Sequence, residues 1–356
     1  MTEYTIKRGF SQITFLLLPL ILFANAIQMV YNISMIKLEI SANEGNQRLD
    51  RFLKKYYRNA PLSYIYKLLR TGVKVNGKRV EQNTRLVAGD QLTIEISEEE
   101  EKAYLVREKP RTKMRQFQIA YEDENLLVVE KPFGLLTHGT MEEGRETLAN
   151  QVLGYLTDSG AYDPKQEKTF VPSPVNRLDR NTTGLVIFGK NAETLRSLSR
   201  MLRERGYIRK YYLTLVHGEM REAMILLGRM EKDRGTNKVK IRDKDAASGK
   251  SMETRAKPIK TSKGFTLVEV ELITGRTHQI RAQLATAGYP VVGDRKYGDQ
   301  KLNEKMLRDH SLKAQFLHAS RLVFENCLPP LEYMSGKELQ CQLPPQLKSI
   351  KTGLFT

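Results

Sequence analysis

One polar turn that leads directly into an apolar strand places the strongest constraint on this chain. Residues 175–188 read VNRLDRNTTGLVIF, so Asp179 lies between Arg177 and Arg180, just before a β-branched run. Two neighbouring guanidinium groups favour the ionised form of a carboxyl group. A solvated turn aspartate paired with surface arginines would show the same local pattern. The turn therefore predicts either a carboxylate held ready for chemistry or a surface ion pair.

Apolar runs and one amphipathic segment predict the fold of the larger part of the chain. Four runs rich in Val, Leu and aromatic residues are typical of strands, at residues 126–129, 185–188, 211–216 and 265–272. Residues 191–205 instead follow helical spacing. This mixture predicts an α+β domain over residues 117–349, built on a mixed, largely antiparallel β-sheet with flanking helices.

The segment before this domain is small and strongly basic. Residues 44–96 contain 11 Lys and Arg against 5 Asp and Glu, and the whole chain carries a formal net charge of +17. Such an excess favours a polyanionic partner, because Lys and Arg neutralise phosphates and release counterions. Nucleic acid is therefore the expected partner, and a solvated charged surface is the alternative.

Local patterns in the basic segment predict two helices and a hairpin. Apolar residues recur at helical spacing on both sides of Pro61, which suits the first turn of a helix. Asn76 and Gly77 favour the positive φ angles of a tight turn and predict a hairpin over residues 73–80. This order of elements resembles the S-four RNA-binding domain, which the resemblance assigns to residues 35–97. The candidate RNA-binding residues are Arg48, Arg51, Lys54, Lys67, Arg70, Lys74, Lys78 and Arg79.

Two segments carry no clear apolar periodicity. Residues 98–116 begin with an acidic run, continue through spaced basic residues, and predict a charged, flexible linker. At the other end of the chain, residues 350–356 are expected to form a tail.

The first 34 residues contain an ambiguous apolar run. It follows Lys7 and Arg8 and by itself resembles a signal peptide or a membrane anchor. Pro19 interrupts it, and a start at Met35 would give an ordinary beginning. We therefore expect residues 1–34 to be a mis-assigned upstream extension or a disordered tail, and we expect no membrane association.

Few residues are suited to metal or disulfide chemistry. Cys327 and Cys341 form no Cys-x-x-Cys pair or disulfide framework, and the five histidines show no ligand spacing. No Gly-rich phosphate loop of the nucleotide-binding types is present. The expectation is a reducing, cytoplasmic compartment, no metal, no nucleotide cofactor, and by default a monomer.

Four blocks resemble, in the right order, the motifs of the RluA family of pseudouridine synthases. Residues 176–184 resemble its His-Arg-Leu-Asp-x-x-Thr-Ser-Gly motif, and residues 209–218 its Lys-x-Tyr strand. Residues 126–134 resemble its first motif, and residues 272–298 its C-terminal motif. The resemblance implies an RNA uridine isomerase. This reaction breaks the bond between uracil N1 and ribose and rejoins the base through C5, without a cofactor or metal.

The resemblance also assigns catalytic residues. Asp179 corresponds to the essential carboxylate, which either attacks as a nucleophile or removes a sugar proton and must be ionised for both roles. Arg281 corresponds to the arginine that pairs with it. Tyr212 corresponds to the tyrosine that stacks on the target base and is a candidate for the late proton transfer, with a core tyrosine as the alternative.

Further candidates would bind the substrate. Arg177 corresponds to the arginine that fills the space left when the uridine is expelled from the RNA stack. Leu284, three residues after Arg281, would share a helix face with it and line the uracil pocket, unless it is a core leucine. The candidate substrate-binding residues are Arg177, Leu284, Arg276, Thr182, Gly184 and His278, of which His278 is expected to be structural rather than catalytic.

Two residues depart from the family pattern. Asn176 stands in place of the usual His, and Thr183 in place of the usual Ser. Asn can still donate and accept hydrogen bonds, so only a mechanism that takes a proton from residue 176 becomes doubtful. The resemblance favours large-subunit ribosomal RNA as the substrate. The alternatives are transfer RNA or a non-catalytic role in RNA binding and ribosome assembly.

Overall fold

The computed structural model describes residues 33–105, 115–139, 146–232 and 239–355. The chain divides into two compact units: Met1–Lys109 with Lys165–Phe170, and Pro110–Pro164 with Val171–Thr356. The apolar run near the N-terminus lies outside the described residues. No helix among those that are described is both long and apolar enough to cross a bilayer.

The small unit is a three-stranded antiparallel sheet packed against helices. Its elements are β1 (Ile33–Glu39), α1 (Leu49–Tyr56), α2 (Leu62–Thr71), β2 (Val73–Val75), β3 (Gln91–Ser97) and α3 (Glu98–Tyr104). The strand order is β1-β3-β2. Phe52 and Leu53 of α1, Ile65 of α2 and Leu92 of β3 are completely buried in one core. The two predicted helices are present because their apolar faces meet over this sheet.

The predicted hairpin forms only in part. Asn76 and Gly77 have the expected positive φ angles of 51° and 77°. The second strand is reduced to a single bridge between Val75 and Lys78, because β2 pairs along its length with β3 instead. The turn was therefore predicted correctly and its partner strand was not.

Both predicted boundaries of the small domain need correction. Strand β1 begins at Ile33, which pairs with Ser97, so a boundary at residue 35 would cut the strand. Helix α3 occupies the first part of the expected linker. Ser97 caps it, and the Glu100 side chain completes the capping box, which turns the acidic run into a helical first turn.

A short segment distant in sequence also belongs to the small unit. The fully buried carboxylate of Glu44 accepts hydrogen bonds from the backbone N–H groups of Lys168, at 2.6 Å, and Thr169, at 3.2 Å. The Lys168 ammonium lies 3.6 Å from the same carboxylate. These contacts group Lys165–Phe170 with the small unit rather than with the predicted catalytic domain.

The large unit contains an 11-stranded sheet with helices. Its strands are β4 (Gln118–Glu122), β5 (Leu126–Lys131), β6 (Ser173–Pro174), β7 (Thr183–Gly189), β8 (Ile208–His217), β9 (Met224–Lys232), β10 (Val239–Arg242), β11 (Lys250–Ser262), β12 (Phe265–Leu272), β13 (Leu317–Phe324) and β14 (Glu338–Gln340). Its helices are α4 (Leu148–Asp158), α5 (Ala192–Glu204), α6 (Gln279–Thr286), α7 (Gln300–His310) and α8 (Pro345–Phe355).

The strand order confirms the predicted mixed, largely antiparallel sheet. It is β10-β9-β11-β12-β8-β13-β7-β5-β4, with β14 beside β13 and β6 beside β7. Among the described strands, β13 and β7 form the only parallel pair. Strand β7 is buried on both faces, which explains why its sequence is continuously apolar rather than alternating. The predicted α+β class is therefore confirmed.

Two helix predictions had different outcomes. Helix α5 lies where periodicity placed it, and the Asn191 side chain caps it by accepting the N–H of Thr194. The expected C-terminal tail is instead part of α8, whose residues Ile350, Leu354 and Phe355 are buried in a core with Phe316. The tail prediction was wrong because these apolar residues recur at helical spacing and pack against the sheet.

Candidate active site

The turn that carries Asp179 is braced by neighbouring elements. Its own closing bond runs from the N–H of Thr182 to the carbonyl of Asp179, at 3.0 Å. The Thr137 hydroxyl donates to the carbonyl of Leu178 at 3.0 Å and accepts the N–H of the same residue at 3.2 Å. These bonds hold backbone groups of the turn and therefore fix the path of the chain. None of them uses the Asp179 carboxylate.

Lys131 is the deepest of these braces. Its side chain is 1% exposed, and Nζ donates to the carbonyls of Pro132, Leu135 and Arg180, at 3.0, 2.7 and 2.9 Å. Burial outweighs the opposing charge of Asp179 and lowers the pKa of Lys131 to about 7. Three carbonyl acceptors require three N–H bonds, which only the ammonium form has, so we assign the charged form.

The two departures from the family motif both have structural roles. The Asn176 side chain accepts the N–H of Ile187, at 2.8 Å, and donates to the carbonyl of Leu185, at 3.2 Å. It thus joins the motif to strand β7. The Thr183 hydroxyl bonds to Nδ1 of the buried His318, at 2.8 Å. The side-chain amide of Asn176 is therefore engaged by two backbone groups of strand β7.

Arg281 brings two carboxylates together. Its Nη1 donates to Asp179 at 2.8 Å, while Nε and Nη2 donate to the two oxygens of Asp294 at 2.6 and 2.8 Å. The side chains of Arg281 and Asp294 are 9% and 0% exposed, whereas that of Asp179 is 27% exposed. Asp294 therefore holds the arginine from the buried side, and Asp179 faces solvent.

Electrostatics favour the charged forms of Arg281 and Asp294. Burial alone would raise the pKa of Asp294, but hydrogen bonds and charge from Arg281 outweigh it and lower the pKa. Backbone N–H groups of Lys296 and Tyr297 act in the same direction. Burial lowers the pKa of Arg281, and the two carboxylates raise it above its ordinary value. The arginine is therefore a permanent cation beside Asp179.

Helix α6 places Arg281 through an ordered start. The Gln279 side chain, 2% exposed, accepts the Thr274 hydroxyl at 2.8 Å and the N–H of Arg276 at 3.0 Å. His278 adopts a left-handed conformation with a φ of 54° just before the helix, and its Nδ1 lies 3.1 Å from the Tyr297 hydroxyl. These contacts fix the backbone and side chains at the start of the helix that carries Arg281.

Strand β8 supplies the aromatic wall. Tyr212 is 5% exposed, and burial, followed by the charge of Asp179, raises the pKa of its hydroxyl, so the phenol stays protonated. Tyr211 points to the opposite face of the strand, where Arg321 lies 3.8 Å from its ring centre. Tyr212 is therefore the tyrosine on the Asp179 side.

A cleft of about 450 Å³ lies between Asp179 and Tyr212. Its lining includes Val175, Asn176, Arg177, Asp179, Leu202, Arg203, Arg205, Lys210, Tyr212 and residues 272–277. A smaller recess shares Asp179 and Tyr212 and also includes Arg281, His278 and Thr182. The structure thus brings together residues from three distant segments of the chain: Arg177 and Asp179, Tyr212, and Arg276 and Arg281.

Other predicted site residues lie elsewhere. Leu284 is completely buried and is absent from the lining of both the cleft and the recess, so its expected place in a uracil pocket is not supported. It shares α6 with Arg281 but packs into the core. Gly184 has a φ of 108° and lies so close to Ala319 that a Cβ would come within 2.2 Å of its carbonyl oxygen. Its role is close packing of β7 against β13.

The predicted RNA-binding residues of the small unit differ in their surroundings. Arg48 and Lys54 pair with Asp50, and Lys74 pairs with Glu95. The other five are exposed: Arg51, Lys67, Arg70, Lys78 and Arg79.

Three residues near the site were not predicted as functional. Lys131 and Asp294 lie inside the first and last family-like motifs, and Lys210 lies two residues before Tyr212. The signal that could have identified the first two is a charged residue two positions after an apolar run, residues 126–129 for Lys131 and residues 291–292 for Asp294. Among the described residues, no group of three or more His, Cys, Asp or Glu side chains could hold a metal ion.

Comparison with known proteins gives an independent result. Residues 125–286 match the family model described as RNA pseudouridylate synthase. The Ribosomal large subunit pseudouridine synthase C of Salmonella typhimurium is 34% identical over 296 residues, covering 80% of this chain and 87% of the relative. The protein of that name from Vibrio vulnificus is 33% identical over 326 residues, covering 90% and 96%.

A solved structure agrees with the sequence matches. Human RNA Pseudouridylate Synthase Domain Containing 4 superposes with a TM-score of 0.50 and 25% identity, over 65% of this chain and 90% of the human chain. Both kinds of comparison point to the family that the four sequence motifs resemble. The chain therefore belongs to the RluA family of pseudouridine synthases, enzymes that isomerise uridine in RNA.

Proposed function

We propose that the chain isomerises specific uridines of large-subunit ribosomal RNA, with Asp179 as the essential carboxylate. One observation carries the assignment of the residue: Asp179 is hydrogen-bonded to a buried arginine at one side of a cleft whose wall includes Tyr212. The substrate class is supported by the relatives of about one-third identity, which are named ribosomal large subunit pseudouridine synthases. A cytoplasmic location follows from such a substrate.

The geometry supports a division of labour. A uridine expelled from the RNA stack would enter the cleft, at an unstacking cost of a few kcal/mol. Tyr212 would stack on the uracil ring, which is worth about 1–3 kcal/mol per base. Asp179 would then face the ribose, with Nη1 of Arg281 donating a hydrogen bond to its carboxylate. Both possible roles, attack on the sugar and removal of a sugar proton, require an ionised carboxylate.

Arg177 is proposed to occupy the space that the uridine leaves. It lines the cleft two residues before Asp179 on the braced turn. The five exposed basic residues of the small unit are proposed to contact RNA phosphates, because their positive charges are accessible. Such contacts would position the RNA without reading its sequence.

A map of pseudouridines tests the substrate. Ribosomal and transfer RNA from cells with and without the gene would be compared at single-nucleotide resolution. The proposal predicts that one or more large-subunit sites disappear and return when the wild-type gene is restored. Loss confined to transfer RNA, or an unchanged map, would contradict the assigned substrate.

A further inference from the structure

One wall of the cleft carries cations that form no ion pair with any acidic residue that the structure describes. Arg203, Arg205 and Lys210 line it together with Arg177. Asp179 is the only carboxylate among the described lining residues, and its hydrogen-bond partner is Arg281. Glu204, adjacent in sequence to two of these arginines, instead pairs with Arg200 at 3.0 Å. Among the described lining residues, no free carboxylate therefore balances the positive charge of this wall.

Strand β8 shows why Lys210 stands out. Its neighbour Arg209 points to the opposite face and pairs with Glu271 at 2.8 Å and Glu325 at 3.3 Å. Lys210 points to the cleft face, is half-buried, and makes no ion pair or side-chain hydrogen bond within the described part of the chain. Burial, followed by the charge of Arg205, lowers the pKa of Lys210 to about 8. A desolvated ammonium beside another cation is costly unless an anion binds there.

We propose that Lys210, together with Arg203 and Arg205, forms a binding site for one RNA phosphate next to the target uridine. The inference rests on the proposed function, because it assumes that RNA is the ligand. It adds that this wall binds a phosphate group of that RNA. An RNA phosphate is an anion whose oxygens could accept hydrogen bonds from all three cations.

The register of β8 places this site beside the base rather than on it. Lys210 and Tyr212 are two residues apart on the same strand face, which separates their Cα atoms by roughly 6.5 Å. The lining of the smaller recess includes Asp179 and Tyr212 but not Lys210. Lys210 therefore lines the part of the larger cleft that lies outside this recess. A backbone phosphate adjacent to a uridine stacked on Tyr212 fits this position.

Binding measurements with full-length protein test the site. The probe is a short RNA that contains the uridine identified by pseudouridine mapping. Lys210→Met removes the charge, Lys210→Arg keeps it, and Lys305→Met removes an exposed lysine from helix α7 as the matched control. We expect Lys210→Met to weaken binding about tenfold, as for loss of one charge-assisted contact. The slope of log K against log salt should become shallower by about 0.7–0.9. Lys210→Arg and Lys305→Met should keep the wild-type slope.

A chemical replacement identifies the phosphate. Each backbone linkage around the uridine is replaced in turn by a neutral methylphosphonate. At one linkage the replacement should weaken wild-type binding but leave Lys210→Met unaffected, because the two changes remove the same contact. Arg205→Gln, at an exposed position, should identify the same linkage even if Lys210→Met folds poorly.

The outcomes separate this inference from the proposed function. An unchanged salt slope in Lys210→Met, or equal responses of wild type and variants at every linkage, would overturn the phosphate site. A wild-type protein that forms no pseudouridine in the RNA, yet binds it with the predicted dependence on Lys210, would overturn the proposed function and leave the phosphate site standing.

Discussion

The carboxylate of Asp294 accepts two hydrogen bonds from Arg281, at 2.6 and 2.8 Å, and leaves the third guanidinium nitrogen for Asp179. Asp294 is completely buried, so the orientation of Arg281 is set from inside the protein. Asp294, which would not contact the substrate, thereby positions the arginine that is hydrogen-bonded to the proposed catalytic carboxylate.

Removing Asp294 should destabilise the fold. Asp294→Ala leaves a buried guanidinium with one partner instead of two, and we expect the free energy of unfolding to fall by about 3–5 kcal/mol. Denaturant titration measures it. Asp309→Ala, at an exposed position on α7, is the control and should change stability by less than about 0.5 kcal/mol. Equal stability of the two variants would contradict the positioning role.

The same pair predicts a dependence on pH. Because Arg281 helps to lower the pKa of Asp294 from its ordinary 3.8, the stabilisation is fully present above that value and is lost as the pH falls through the lower, folded-state pKa. The stability difference between wild type and Asp294→Asn should therefore narrow on acidification from roughly pH 5 to pH 2. A difference that stays constant or widens over this interval would show that the Asp294 charge is not responsible.

The Lys131 brace should also matter for stability. Lys131→Met keeps much of the side-chain volume but leaves three carbonyls without their donor, so we expect a loss of about 2–4 kcal/mol. Lys348→Met, at an exposed position on α8, serves as the control in the same titration. If the two substitutions lower the free energy of unfolding by the same amount, the hydrogen bonds from Lys131 to the three carbonyls contribute little to stability.

Sequence motifs predicted which polar groups meet at the cleft better than they predicted the residues that support those groups. Asp179, Tyr212 and Arg281 lie in separate motifs, and the structure brings them together at one cleft. Lys131 and Asp294 also lie in family-like motifs. Lysine and aspartate are mostly exposed in proteins, so the sequence alone does not indicate that these two are buried. Leu284 shows the opposite error, because a helical position can face either a pocket or the core.

Gly184 offers a test of the close packing that supports the motif. An alanine there would place its Cβ 2.2 Å from the Ala319 carbonyl oxygen and would require a φ of 108°. We expect Gly184→Ala to cost more than about 3 kcal/mol or to prevent folding. Gly275→Ala, with no atom within 4 Å of the added Cβ, should retain stability in parallel thermal melts. A wild-type melting curve for Gly184→Ala would refute this packing argument.

Tyr212 should separate binding from proton transfer. Burial and the Asp179 charge raise the pKa of its hydroxyl, so the group is protonated and available as an acid. Tyr212→Phe keeps the ring and should slow product formation by about 10²–10⁴-fold, with RNA affinity preserved. Tyr212→Ala should weaken RNA binding as well.

Tyr211→Phe is the control for these kinetics, because Tyr211 faces away from the cleft. Single-turnover rates and equilibrium binding should both remain at wild-type values in this variant. Full activity of Tyr212→Phe would leave the ring as the only contribution of Tyr212.

Single-turnover formation of pseudouridine by Asp179→Asn, measured beside the dissociation constant for the same RNA, tests the central claim most directly. The substitution keeps the size of the side chain and an oxygen that can accept the Arg281 hydrogen bond, and it removes the charge. We expect a folded protein with wild-type RNA affinity and no product. Product formation at the wild-type rate would show that the charge of Asp179 is not required.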